Sequence, residues 1–341
     1  MNQATIDILI VGAGLSGLII ASTLAQTNLQ IAILEKNSTV GGRLATESIG
    51  PGQADTGAQF FTVRDPKFQK LVDQWLIDDI VFKWSDGWSR GNTPDGQRII
   101  EPDGYPRFAV RHGFNALPRY LATSLARENI SLQTGGFLHS LRTIDDGWQA
   151  IDQVGNVYTS RICAVTPPVP ESLNLLKAGG TLLNSDDHNA LSRVTYAPCL
   201  CGLFWVNGRA NLPEPGAIPR PGGIIGWISD NQRKGVSPDA TTITVHTIPE
   251  YSRLNYDKSD EAALAPIQKA MMDYLEPDTI IRSSRLLRWP FAQPEILHPE
   301  RYLKAADLPP LYFGGDAFCH ARIEGALLSG LAIGEAILKE I

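Results

Sequence analysis

An α/β fold, in which a nucleotide-binding domain with a parallel sheet carries an inserted α+β domain, is predicted for this chain by three observations. A buried-strand pattern runs straight into a glycine-spaced turn and a helix near residue 12. A second glycine-rich turn opens a helix near residue 325, and alternating apolar segments between the two suggest a separate sheet. With 341 residues, the chain exceeds a typical domain of about 100 to 200 residues, so two folded units fit its length.

Ile6 to Val11 reads as a buried strand. Gly12-Ala13-Gly14-Leu15-Ser16-Gly17 follows, then the helical run Leu18 to Thr27 and a second strand, Ile31-Ala32-Ile33-Leu34-Glu35. The strand, glycine turn, helix, strand order ends in an acid 18 residues beyond Gly17, as a dinucleotide site requires. Its glycines let the backbone approach a pyrophosphate, and the amide end of the helix attracts that charge. Glu35 accepts from both ribose hydroxyls and would repel a 2′-phosphate. Three glycines at this spacing arise by accident about 0.25 times in a chain of this glycine content, so the motif draws its force from the strand, helix and acid around it. Ile8 to Ala25 is uncharged and about as long as a membrane span, but no basic start precedes it and glycines interrupt it. A buried strand turning into a buried helix accounts for it.

Further along, Asp65-Pro66 caps a helix whose apolar face is Phe68, Leu71, Val72, Trp75 and Leu76. Phe82 to Gly104, with Trp84, Trp88, Gly91, Pro94, Gly96 and Pro102, reads as strands and turns. Gly113 to Ala126 reads as a helix, and Gly136 to Cys163 as a meander turning at Asp145-Asp146-Gly147 and Gly155-Asn156. The alternating segments Leu200 to Val206, Gly223 to Ile228 and Thr241 to Ile248 predict the second sheet. There His246 shares a face with Thr242 and Thr244, opposite Ile243 and Val245; by default such a histidine is a hydrogen-bonded sheet residue. Leu311-Tyr312-Phe313 is a short strand leading to Gly314-Gly315-Asp316 and then to Glu324-Gly325-Ala326, which opens the last helix.

Thirty Lys+Arg against 36 Asp+Glu give a net charge of -6 without a basic block, which leaves counterion release little to work with and argues against nucleic acid. The four cysteines have no CxxC spacing, so a reducing, cytoplasmic compartment is the simpler reading. Cys199 and Cys201 share one strand face with no second Cys/His pair to complete a zinc site. The sequence holds no paired metal ligands, no Ser or Cys nucleophile motif and no phosphate-transfer loop, so a cofactor carries the reaction. The Gly41-Gly42-Arg43 turn can lie flat against a ring system, and Arg43 offers a planar fork. Asp316 suits a ribityl hydroxyl, and the amides of Gly325 to Leu327 give a positive helix end where a reduced flavin gains negative charge. These features point to FAD; the plainer alternative makes Asp316 a helix cap and the glycines packing sites.

The same motifs, together with Asp55-Thr56-Gly57-Ala58-Gln59-Phe60-Phe61-Thr62, His112-Gly113-Phe114-Asn115-Ala116-Leu117, Pro168-Val169-Pro170, Val245-His246-Thr247, Arg288-Trp289 and Arg322-Ile323-Glu324-Gly325-Ala326, resemble the renalase branch of the flavin amine oxidase superfamily over nearly the whole chain. The resemblance implies an FAD-binding Rossmann-like domain of residues 1–77, 104–168 and 284–341 and a substrate domain of residues 78–103 and 169–283. It implies non-covalent FAD on Gly12, Gly14, Leu15, Ser16, Gly17, Glu35, Lys36, Gly42, Arg43, Gly57, Ala58, Gln59, Phe60, Gly315, Asp316, Glu324, Gly325 and Ala326. His246 would orient the substrate, with Trp289 and Phe60 walling the pocket. The implied reaction oxidises the 2- and 6-dihydro isomers of NAD(P)H to NAD(P)⁺, and electrons pass through FAD to dioxygen to give hydrogen peroxide.

The chain departs from that pattern at Phe60, where relatives often carry tyrosine, and at Glu171, where glutamine is expected and a carboxylate adds charge near the pocket. Residues 317–323 contain no Tyr or Trp, so the aromatic cage of an ordinary amine oxidase is incomplete. Two other functions stay open at this point. One is an amine oxidase on the same scaffold, recognisable by amines bleaching the flavin; the other is a binding protein such as the GDP dissociation inhibitors, recognisable by the lack of flavin colour.

Overall fold

The computed structural model describes residues 6–89 and 100–341; Gly91, Pro94 and Gly96 of the expected turn region lie outside them. The chain divides into two compact units, residues 1–42, 118–195 and 294–341 in the first and residues 43–117 and 196–293 in the second.

The first unit is built on a sheet whose centre is parallel. Ile6–Val11 lies between Ile31–Glu35 and Val157–Val165; outside them stand Ile130–Thr134 on one side and Leu311–Phe313 on the other. Ile8 to Val11 and all of Ile31–Glu35 are buried, which is why both read as unbroken apolar runs rather than alternating ones. The expected meander is present as Leu138–Ile144 and Gly147–Asp152, and it joins this sheet antiparallel along Val157–Val165. Against it lie the first helix, Leu15–Leu24, and the last, Ile323–Glu340. The two helices approach closely, since a Cβ on Gly330 would stand 2.5 Å from the Ser16 carbonyl oxygen.

The second unit is built on a five-stranded sheet in the order Ala217–Gly222, Ile225–Asp230, Thr241–Thr247, Thr195–Asn207, Ile280–Ile296. Its core includes Leu200, Phe204, Ile228, Ile243 and Val245, joined by Ile267 and Met271 from the helix Asp260–Met272. The hairpin Thr46–Ile49 and Gly52–Asp55 adds Ile49 and Ala54 to a smaller cluster with Cys201 and Leu203. The hairpin Val81–Ser89 and Ile100–Val110 and the helix Pro66–Ile77, capped by Asp65 as expected, complete the unit. These contact-defined units cut the chain elsewhere than the expected functional domains do. Residues 43–77, 104–117 and 284–293 group with the second sheet, and residues 169–195 with the first. The hairpin's apolar side chains find their partners on strands some 150 residues away, and no local composition shift marks that packing. Among the described residues, no helix is long and apolar enough to cross a membrane.

Candidate active site

In the first unit, two helix N-termini meet. Gly14 precedes the first helix with φ -71° and ψ -179°, no side chain caps that end, and no acidic residue occupies its first turn. The first intrahelical bond runs from Leu18 N to Gly14 O, which leaves the amides of Leu15, Ser16 and Gly17 without helical acceptors and at the positive end of the helix dipole. The last helix starts from Arg322, also with no side-chain cap but with buried Glu324 in its first turn, and its first bond is Ala326 N to Arg322 O, 3.0 Å. Ser16 Oγ donates to Ala326 O at 2.7 Å and ties the two ends together. Gly315 N donates to Ser329 Oγ at 3.0 Å, which fixes the turn carrying Asp316 to the same helix.

Glycines here divide into packed and open positions. A Cβ on Gly17 would stand 2.0 Å from Gly12 O, so only glycine allows the helix so near the strand. By contrast, a Cβ on Gly14 meets nothing within 4 Å, and one on Gly42 meets only the Gly14 Cα at 3.8 Å. Gly41 N donates to Ala13 O at 2.9 Å, so the Gly41-Gly42 turn runs beside this loop. Glu35 is buried and organises the loop: Oε2 accepts from Ala13 N at 2.9 Å, and Oε1 accepts from Asn37 N and Nδ2 at 2.9 and 2.8 Å. A carboxylate offers about four acceptor sites, so capacity for a ribose hydroxyl remains. Open glycine backbone, paired uncapped amides and a buried acid with spare lone pairs fit a dinucleotide pyrophosphate and its ribose. Lys36 is engaged elsewhere: its Nζ pairs with Glu171 at 2.7 Å, which neutralises the carboxylate that departs from the family pattern.

The second unit gathers the other sequence-predicted residues around residues 53–60. The three polar residues on one face of Thr241–Thr247 each hydrogen-bond to a carbonyl of this segment. Thr242 Oγ1 donates to Gln53 O at 2.7 Å, Thr244 Oγ1 to Asp55 O at 2.8 Å, and His246 Nε2 contacts Thr56 O at 2.9 Å. Since a carbonyl only accepts, Nε2 carries the hydrogen. Burial, with the Lys234 charge adding to it, outweighs the Thr56 acceptor and brings the His246 pKa down to about 4. His246 is therefore neutral near pH 7. Trp289 Nε1 donates to the same Thr56 carbonyl at 3.1 Å. Immediately beyond, Ala58 N donates to Arg43 O at 3.0 Å, and a Cβ on Gly57 would stand 2.0 Å from that oxygen. Arg43 Nη1 donates to Phe291 O at 3.0 Å, so this guanidinium also holds backbone. Gln59 is buried, donating to Asp55 O at 2.7 Å and accepting from Ser229 Oγ at 3.0 Å, while Phe60 stacks on Trp227.

Sequence reasoning missed the hub beneath this segment. Asp55 and Lys234 are fully buried and paired at 2.7 Å, and the other Asp55 oxygen accepts from Thr46 Oγ1 and Phe114 N, each at 2.7 Å. Desolvation lowers the Lys234 pKa against the pull of Asp55. Asp55 stands in a recognisable motif, but no spacing announces a lysine 179 residues away. Cys199 and Cys201 do lie on one strand; burial pushes the first thiol up to about 12 and the second well above its usual range, so neither supplies a thiolate.

Two family models match the chain, and each match takes in residues of both units. Residues 10–75 match the NAD(P)-binding Rossmann-like domain family, and residues 81–338 match the family of flavin containing amine oxidoreductases. The chain is similar to renalase of Mus musculus, with 23% identity over 357 aligned positions that cover 98% of this chain and 99% of the mouse protein. Among solved structures, reduced UDP-galactopyranose mutase aligns with a TM-score of 0.71 at 13% identity, covering 99% of this chain and 95% of the mutase. A putrescine oxidase redesigned in its cofactor binding aligns with a TM-score of 0.70 at 15% identity, covering 99% of each chain. These structural likenesses establish the fold.

Proposed function

We propose a specific reaction on the premise that this chain belongs to the flavin containing amine oxidoreductase family and is renalase-like. It binds FAD non-covalently and oxidises 2- and 6-dihydro isomers of NAD(P)H, so that one dihydronicotinamide, one dioxygen and one proton yield NAD(P)⁺ and hydrogen peroxide. FAD would supply the two-electron acceptor for the hydride and the route from there to dioxygen. The amides of Leu15, Ser16 and Gly17 and those opening the last helix would hold its phosphates and the negative side of its ring system; Glu35 would hold the ribose, and Asp316 the ribityl chain.

The observation that carries the substrate reading is the state of His246. It is neutral, and its Nε2 hydrogen is engaged by the Thr56 carbonyl, which Trp289 also holds. His246 and Trp289 thus fix the backbone entering Gly57 to Phe60, and burial leaves the remaining Nδ1 lone pair a weak base. A dihydropyridine needs no base; it needs its carbon held about 3 to 3.5 Å from the hydride acceptor. An aliphatic amine, cationic near neutral pH as a lysine is, must lose a proton first.

Two measurements test this reading. Acid denaturation of the yellow protein should leave free FAD in the supernatant; flavin retained on the precipitate would contradict non-covalent binding. Aerobic incubation with the isomer mixture made by non-specific reduction of NAD⁺ should give NAD⁺ and hydrogen peroxide in equal amounts. Peroxide formed from benzylamine and none from the isomers would move the activity to amines.

A further inference from the structure

Phe60, Trp84, Trp88 and Trp227, all in the second unit, form one aromatic cluster. Trp227 stacks on Phe60 with centroids 5.5 Å apart and planes at 26°. Trp88 meets Phe60, Trp84 and Trp227 edge-on at 5.0, 5.5 and 5.2 Å. Arg107 lies over Trp88, 5.3 Å from its ring centre, and its terminal nitrogens are taken up by the Asp103 carboxylate and by the carbonyls of Tyr105 and Asp86. Three further atoms of this cluster, Trp84 Nε1, Trp227 Nε1 and Arg107 Nε, are buried and have no hydrogen-bond partner among the described residues. Trp227 itself is only 7% exposed.

All three are donors that cannot accept. Buried donors in folded proteins are nearly always matched, so three in one cluster, unmatched among the described residues, call for an acceptor. Phe60, Trp84 and Trp88 are half-buried, which leaves part of each ring open to a visitor. We propose that this cluster is a subsite for a planar ring bearing a carbonyl or carboxamide oxygen. Within the reaction proposed above, on which the assignment of the ligand rests, that group is the nicotinamide carboxamide. The flat ring lies against the half-buried rings and its oxygen accepts from the indole N–H groups. An ammonium group carries donors only and leaves all three protein donors unmatched.

The test needs no turnover. Nicotinamide and 3-methylpyridine, the second lacking the carbonyl, are titrated into the oxidised FAD-loaded protein, and binding is read by calorimetry. The wild-type protein should bind nicotinamide about 10-fold more tightly than 3-methylpyridine, the value of one good hydrogen bond. Trp227→Phe and Trp84→Phe, which keep a ring and lose the N–H, should each lose most of that preference, with FAD content unchanged. No preference in the wild type, or a preference that survives in both variants, overturns the proposal and assigns the N–H groups to neighbouring ring faces. Benzylamine binding more tightly than nicotinamide overturns it as well. A protein that shows the preference and loses it in the variants, yet oxidises no dihydronicotinamide, keeps the subsite and defeats the reaction.

Discussion

Around Gly12 to Gly17 and Ile323 to Ala326, the first unit presents groups that belong almost wholly to the backbone: helix amides, a loop open at Gly14, and one carboxylate that holds the loop in place. Around Thr56 and Phe60, the second unit presents a segment whose carbonyls are held by side chains from distant strands, over an ion pair out of water. Backbone devices tolerate many side chains but no added Cβ at the closest approaches. Side-chain devices tolerate backbone variation but fail when one partner is removed.

The largest expected effect breaks the second kind. Lys234→Met leaves Asp55 buried and unpaired and should cost about 3 to 5 kcal/mol in a denaturant titration of the FAD-loaded protein. Adding Asp55→Asn, which keeps an acceptor for Phe114 N and Thr46, should recover part of the loss. A single-variant cost below about 1 kcal/mol would mean that the pair does not hold the segment.

His246 sharpens the comparison through pH. Its folded pKa of about 4 lies below its unfolded value of about 6.5, so the unfolded chain takes up the proton first as pH falls. The associated stability is whole above about pH 6.5 and is lost progressively down to about pH 4, up to about 3 kcal/mol in all. Urea midpoints at pH 7.5 and 4.5 should therefore fall less in His246→Gln than in the wild type; identical falls would place the titration elsewhere.

Glycines in the first unit separate affinity from stability. Gly17→Ala forces a Cβ toward Gly12 O and should cost about 1 to 3 kcal/mol of stability as well as FAD binding. Gly14→Ala has room and a permitted φ, so thermal unfolding without FAD should stay unchanged while FAD affinity falls about 10-fold or more as the methyl fills the space proposed for phosphate. Equal melting losses in both variants would contradict the open-loop reading. The smallest effect belongs to Lys36→Ala, which removes a half-exposed ion pair worth about 0 to 1 kcal/mol and should vanish in high salt.

The same contrast explains what the sequence disclosed. Gly12, Gly14, Gly17 and Glu35 lie within one strand-helix-strand unit, where spacing and backbone geometry dictate each other, and all of them act in that loop. The alternation of Thr242, Thr244 and His246 gave their shared face correctly, because a strand's period of two is local. Their acceptors on residues 53–56 were not legible, nor was the Asp55–Lys234 pair, since both are contacts between segments nearly two hundred residues apart. The unit boundaries were hidden for the same reason: Ile49 and Ala54 choose their sheet by packing with Cys201 and Leu203.

Anaerobic single-turnover reduction of the flavin tests the central claim most directly. Mixed rapidly with the 2- and 6-dihydro isomers of NADH, the oxidised protein should bleach about 100-fold faster than with the ordinary 4-dihydro isomer, because a pocket that aligns one ring carbon displaces another by more than an ångström. Benzylamine should leave the spectrum unchanged, and admitted air should restore the yellow colour. Rapid bleaching by benzylamine with none by the dihydro isomers would contradict the account.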